Sequence, residues 1–257
     1  MNNVNPESGP RVDSTLSKGL LILENLAASR ESKGVSQLSR ELELTKSNTF
    51  RLLQSLIALG YVRQMDDKNY TASLKMWQVG RKIIDQLNLR EICANEMQFL
   101  SNETGETVYL AVQEGVQVVY VDKIESLKPI RSWNPIGGSA PLHCVGTGKA
   151  LLAANYEKMR DIVRGELKRY TDKTITNIKA LDDDVEETRL KGYAFDCGEF
   201  RDQIYSFGAA IYLPSGEAIA ALGISMPEMN MPADSQETLG NIVAGAAARV
   251  SRKMLTH

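Results

Sequence analysis

The sequence predicts an α+β chain of two domains. A small helical domain closed by a β-hairpin is joined by a helix to a larger domain, in which helices pack an antiparallel sheet. Three observations predict it. Before residue 60, apolar residues recur at helical spacing in three successive stretches. Next, the short β-forming stretches YVRQ and NYTA flank the turn-forming MDDK. Further on, ETVYLAVQEGVQVVYVDKI and SFGAAIYLPSGEAIAALGISM each read as two apolar strands, turning at Glu114–Gly115 and at Pro214–Ser215–Gly216. With 257 residues and 43 % hydrophobic content, the chain has length for two cores and too much apolar material for global disorder.

The elements follow in order. Residues 1–13 are polar, lack an apolar signal core and read as a disordered tail. Leu16, Leu20, Leu23 and Ala27 mark the stripe of a first amphipathic helix, which Gly34 ends. Val35, Leu38 and Leu42 mark a short second helix. Thr45 is the expected N-cap of a third, which runs to about Leu59 before Gly60. Three helices and a hairpin outline a winged helix-turn-helix over residues 14–73. SLKMWQVGRKIIDQLNL reads as a linker helix over 74–88. The second domain, 89–257, opens with a helix carrying Met97 and Leu100. It closes with one from about Ser235 to Met254, where Leu239, Ile242, Val243 and Ala246 keep helical spacing.

On a helical wheel, Phe50, Leu52, Leu53, Leu56 and Ile57 of the third helix share one broad side. Ser47, Asn48, Arg51, Gln54 and Ser55 take the other, with no carboxylate among them. A merely solvated face mixes Glu with Lys. A face that meets bases and phosphates presents Arg, Asn, Ser and Lys. Lys46 and Ser47 at the helix start are candidates for backbone phosphate, Asn48 and Arg51 for base edges, Ser55 for the same surface, and Lys68 at the hairpin tip for a flanking contact. Bulk charge does not decide the matter. The formal net charge is −2, and residues 1–72 hold nine Lys/Arg against eight Asp/Glu.

The stretch APLHCVGTGKALLA, residues 140–153, has the look of a phosphate loop. A nucleoside-triphosphate loop needs a Gly five positions before its Gly-Lys pair and a Ser or Thr after it. Here those places hold His143 and Ala150, so both tests fail. The physics of a helix start remains: amides of Gly146 and Thr147, at the positive end of a helix dipole, are candidates to take one small anion such as a carboxylate. Asp196, after a strand-like stretch, and Ser225, on the last strand, add hydrogen-bonding groups.

Other chemistries find little support. Three widely spaced cysteines suggest no disulfide framework and fit a reducing cytoplasm. No apolar run reaches the ~18–20 residues of a membrane span. With His143 and His257 as the two histidines and no paired cysteines, no metal-ligand spacing appears. His143–Cys144 with Asp196 is a weak thiol nucleophile and base, because neighbours on extended chain point apart. Asp182–Asp184 with Glu186 and Glu187 read as the acidic first turns of a solvated helix. A small-molecule hydrolase or lyase with an appended helical domain is the alternative reading. No catalytic residue, metal or cofactor is predicted.

From about Ser14 to the C-terminus the chain resembles the isocitrate-lyase-regulator (IclR) type of bacterial transcription factor. VSQLSRELELTKSNTFRLLQSLIALGYV looks like its DNA-binding half. PLHCVGTGKALLA, TITNIKALDDDVEETRLKGYAFDCGEF and IAALGISM look like its effector-binding half. The resemblance implies a winged helix on a linker helix, an antiparallel-sheet α/β effector-binding domain, and a homodimer or dimer of dimers on partly palindromic double-stranded DNA. It also implies a small organic acid as effector. IESLKPIRSWNPIGGSAPLH looks closest to members that sense sugar acids. Positions matching Asp196, Ser206, Gly223 and Ser225 line the family's pocket, with the effector carboxylate at the Gly146–Thr147 loop. Ser206 stands where a Cys is common and Gly223 where some members have Ser, while Gln203 and Ala210 replace the usual Gly and Pro.

Overall fold

The computed structural model describes residues 13–86 and 88–254, so the predicted tail lies almost wholly outside the described residues. Contacts divide the chain into two units, residues 1–86 and 87–257. In the first, α1 (Ser14–Ala28), α2 (Val35–Glu41) and α3 (Lys46–Ala58) precede an antiparallel hairpin, β1 (Val62–Gln64) and β2 (Tyr70–Ala72), and then α4 (Lys75–Gln86). Asp13 caps α1 through its carboxylate, which accepts from the Thr15 and Leu16 amides. The core joins Ile22, Leu23, Leu26, Leu38, Leu52, Leu53, Leu56, Val62 and Tyr70. Lys33 and Tyr70 exchange backbone hydrogen bonds, both 2.9 Å, so the hairpin is tied to the α1–α2 connection.

The predicted α1 stripe needs correction. Leu23 is buried, but Leu16 and Leu20 are exposed, Ala27 too, and Ile22 and Leu26 fill the core instead. The helix is apolar on more than one side, so spacing alone could not choose the inner one.

The second unit begins with α5 (Leu89–Thr104) and holds a six-stranded sheet in the order β5-β4-β3-β8-β7-β6, antiparallel throughout. Its strands are β3 (Thr107–Glu114), β4 (Gln117–Ile124), β5 (Ser139–Pro141), β6 (Ala194–Cys197), β7 (Ile204–Tyr212) and β8 (Ala218–Pro227). Between β5 and β6 the chain forms α6 (Gly146–Ala154), α7 (Tyr156–Arg164) and α8 (Ile178–Lys191), and α9 (Gln236–Lys253) closes the fold. Strand alternation sends Tyr109, Ala111 and Ala221 into one cluster with Leu151 and Leu152 of α6 and Leu181 and Val185 of α8. The intervening residues of β3 and β8 point to the other face, where α5 and α9 pack. Among the described residues no helix is long and apolar enough to cross a membrane.

The acidic run is not simply solvated. Asp182 pairs with Arg160 at 2.7 Å and accepts from the Tyr156 hydroxyl at 2.6 Å, and Asp184 reaches the buried Lys149 ammonium at 2.7 Å. These partners lie on α6 and α7, out of reach of a reading confined to α8.

Candidate functional sites

The first candidate is built by α2, α3 and the hairpin. The turn between the two helices is tight: Glu43 takes a left-handed φ of 54°, and the Leu44 amide bonds Ser39 O at 2.8 Å. Thr45 caps α3, its hydroxyl accepting from the Asn48 amide. Ser47, Phe50, Arg51, Gln54, Ser55 and Ala58 form the exposed stripe of α3. Arg51 Nη2 donates to Asn48 Oδ1 at 3.2 Å, which pre-arranges the two as one hydrogen-bonding unit. Ser55 Oγ donates back to Arg51 O at 3.1 Å. Lys46 opens α3, exposed, and Lys68 stands exposed at the hairpin tip with φ 65°. Arg63 on β1, also exposed, adds a cation that the sequence reading did not name.

Phe50, expected on the apolar side of α3, lies outside it. Thr49 is fully buried and Phe50 is 50 % exposed. The inward arc is centred on Thr49, Leu52, Leu53 and Leu56. Thr49 can occupy it because its hydroxyl donates to Thr45 O at 3.0 Å, leaving no polar atom unsatisfied.

The second candidate is a small cavity in the other unit, with room of about 30 Å³. Strand register builds it. One cross-strand row runs Asp196–Ser206–Ser225–Thr107, and the next runs Ala194–Gly208–Gly223–Tyr109. Thr147, Asp196, Ser206, Gly223 and Ser225 all line the cavity. Gly146 does not. Its amide donates to Ser206 Oγ at 2.9 Å, and Ser206 donates to Asp196 Oδ2 at 2.7 Å. Asp196 Oδ1 accepts from the amides of Gly198 and Glu199 at 3.0 and 2.7 Å. Burial pushes the Asp196 carboxyl up to about 6, against the pull of those donors. Ser225 Oγ donates to Ser132 Oγ at 2.8 Å.

The sequence reading missed much of the wall. Tyr109, Tyr120, Ser132, Asn134, Phe200 and Arg201 also line the cavity. The antiparallel register could have named Tyr109, which lies opposite Gly223. Ser132 and Asn134 come from the loop before β5, whose path no periodicity foretells. Arg201 Nη1 donates to Trp133 O at 3.0 Å, joining that loop to the turn after β6.

Three glycines allow α6 to start where it does. A Cβ on Gly208 would meet Gly146 C and O at 2.3 Å, and one on Gly223 would meet Phe207 O at 2.4 Å and Thr147 Cγ2 at 2.6 Å. The helix start therefore rests on bare backbone. Lys149 points away from the cavity. Its ammonium bonds Glu199, Asp184 and Phe195 O, each at 2.7 Å. Burial alone would lower its affinity for the proton, but the two carboxylates outweigh that and raise it. This lysine is therefore spent inside the fold. His143 Nε2 lies 3.1 Å from Lys168 O, and burial pushes the imidazole down. Burial pushes the Cys144 thiol well up, so it is no nucleophile.

Comparison with known proteins bears on both units. The sequence matches the family described as bacterial transcriptional regulator IclR C-terminal over residues 81–252 and the IclR helix-turn-helix domain over residues 15–66. It is 32 % identical to the HTH-type transcriptional regulator KdgR of Escherichia coli, over 100 % of this chain and 98 % of that protein. It is 33 % identical to the acetate operon repressor of Salmonella typhimurium, over 92 % of this chain and 88 % of that one. Among solved structures, the Thermotoga maritima IclR aligns with a TM-score of 0.78 at 28 % identity, covering 93 % of this chain and 98 % of that one. An IclR homolog from Microbacterium hydrocarbonoxydans, solved with 4-hydroxybenzoate, shares the fold with a TM-score of 0.81 at 22 % identity, covering 95 % and 100 %.

Proposed function

This chain belongs to the IclR family of bacterial transcriptional regulators, and from that premise we propose that it carries a small hydroxylated carboxylate in its second unit as the signal for its DNA-binding unit. It is a DNA-binding regulator and not an enzyme. The observation that carries the ligand reading is the convergence of Thr147, Asp196, Ser206, Gly223 and Ser225 on one cavity. The carboxylate is taken at the N-terminus of α6 by the Thr147 amide, with Gly146 holding the helix start through Ser206. The Arg201 guanidinium on the same wall supplies the long-range attraction. Hydroxyl groups of the ligand meet Asp196, Ser225 and Ser132. A carboxylate beside Asp196 repels a second one, so monoacids are favoured over diacids. The likeness of IESLKPIRSWNPIGGSAPLH to sugar-acid-sensing members narrows the class to a sugar acid.

The DNA contacts fall to Lys46, Ser47, Asn48, Arg51, Ser55 and Lys68. One such helix reads only a few base pairs, so two copies on a partly palindromic operator supply the rest. Exposed Leu16, Leu20 and Leu21 on α1 and exposed Leu74 and Val79 at α4 support a homodimer, or a dimer of dimers, in the cytoplasm. The ligand acts by binding one arrangement of that assembly better than the other, each tenfold change in operator affinity needing about 1.4 kcal/mol.

A thermal-shift screen of sugar acids, short keto and hydroxy acids and aromatic acids tests the ligand class. Small monocarboxylates are expected to raise the melting temperature. Ser225→Ala and Asp196→Asn are expected to lose that response and keep operator binding. Hits confined to uncharged or cationic compounds, or normal responses in both variants, overturn the reading.

A further inference from the structure

The exposed stripe of α3 carries one large apolar side chain between Ser47 and Ala58. Phe50 is half exposed and is not among the hydrophobic residues that pack the N-terminal core. Ser47 lies one turn before it, Arg51 beside it and Gln54 one turn after, and the stripe holds no carboxylate. The exposed half of the ring forgoes the gain of burial, and the exposed residues that flank it on α3, Ser47, Arg51 and Gln54, are polar. The bases offer one apolar feature in the major groove, the C5-methyl group of thymine.

We infer that Phe50 reads thymine, its ring packed on a C5-methyl group while Arg51, Asn48, Ser47 and Gln54 engage the surrounding base edges and phosphates. The inference rests on α3 being the helix that enters the groove. Its charge pattern favours that occupant over a second protein chain. Hydrogen-bonding side chains and a cation on the ring's own stripe complement a polyanion, and an apolar protein interface would leave them unpaired. Ser47 and Phe50 in the first two turns of α3 match the part of a recognition helix that comes nearest the bases. This residue would set a preference for one base pair without any hydrogen bond of its own.

The test uses the full chain. Binding sites are selected from a randomised duplex pool with the wild type and with Phe50→Ala, and uracil then replaces each thymine of the selected site in turn. Uracil differs from thymine only by the methyl group. The wild type is expected to select thymine at one fixed place in each half-site and to lose about fourfold in affinity per half-site when uracil stands there. Phe50→Ala is expected to lose that thymine preference, to bind the thymine and uracil duplexes alike, and to keep the other preferred bases and the salt dependence, since no phosphate contact is removed. Unchanged wild-type affinity at every uracil position overturns the inference, and so does a variant that still selects thymine there. A variant whose assembly falls apart by light scattering assigns the ring to a protein contact and overturns it too. A wild type that selects no sequence overturns this and the operator reading together. Should Phe50→Ala fail to fold, Phe50→Asn replaces it, and the uracil series on the wild type decides without any variant.

Discussion

At Lys149 a single ammonium answers two carboxylates, Asp184 and Glu199, inside the protein. Burial raises both acids, and Glu199 is pushed up to about 7 from 4.5 despite Lys149 beside it. A carboxyl that takes its proton more readily folded than unfolded contributes stability in full below about pH 4.5 and loses it as the pH rises through about 7. Asp196, pushed up to about 6, acts in the same direction, and the buried His143, pushed down, acts oppositely at acid pH. Urea denaturation from pH 5 to 8 should therefore show the wild type falling relative to Glu199→Gln by on the order of 2 kcal/mol. A constant difference across that range would refute it. Lys149→Met strands both acids and should cost roughly 3–5 kcal/mol at pH 8, less at pH 5. On the DNA side, Arg51→Ala should lose specific operator binding by about 1–3 kcal/mol per half-site with its melting temperature unchanged. A fluorescence titration at fixed salt reads this, and unchanged affinity refutes it. Individual residues were legible where chemistry and backbone coincide, as at Thr45 and Asp196. They were not legible where a polar group is satisfied locally: the Thr49 hydroxyl donates to Thr45 O and so lies buried, while Phe50 stands half exposed.

The elements were legible wherever a period ran long enough. Both large hairpins, the three N-terminal helices and α9 follow from spacing and turn residues, since burial on one face repeats every 3.6 or 2 residues. Short elements gave no such signal. Strand β5 has three residues and ends in Pro141, and α7 buries only Tyr156 and Val163. The turn between α2 and α3 makes its own prediction. Glu43 holds a left-handed φ of 54° that a side chain resists and glycine does not. Glu43→Gly should raise the stability of the N-terminal unit by about 0.5–1 kcal/mol, and Thr45→Ala, which removes the α3 cap, should lower it by about 1 kcal/mol. Thermal melts of the two variants should move in opposite directions. A shift in the same direction would mean that the turn is not strained as drawn.

Each of the two units has its own buried core, one gathered around Leu38, Leu53 and Tyr70 and the other around the sheet. Residues 88–257 alone should then fold and keep the ligand-induced thermal shift while losing operator binding. A fragment that melts without cooperativity, or a shift seen only in the full chain, would place part of the ligand's support in residues 1–86. For the full chain, light scattering at micromolar concentration should report a dimer or tetramer, and a monomer both free and on DNA would refute the paired-operator reading. Assembly is the level at which the sequence is least legible, because an exposed leucine stripe on α1 does not say what meets it or how many copies would.

The glycine contact beneath α6 also bears on how such a sensor could acquire a new signal. With Gly208 against Gly146 and Gly223 against Thr147, the helix start beside the cavity packs on backbone, and in this chain a Cβ at Gly208 or Gly223 would collide. A side chain at Gly208 or Gly223 would require α6 to move, so a new signal is reached at less structural cost from other residues of the wall. Exchange is more readily accepted at Ser132, Asn134, Phe200 and Arg201, which line the cavity from connecting segments. A laboratory library for a biosensor built on this chain should vary those four positions and leave the three glycines alone.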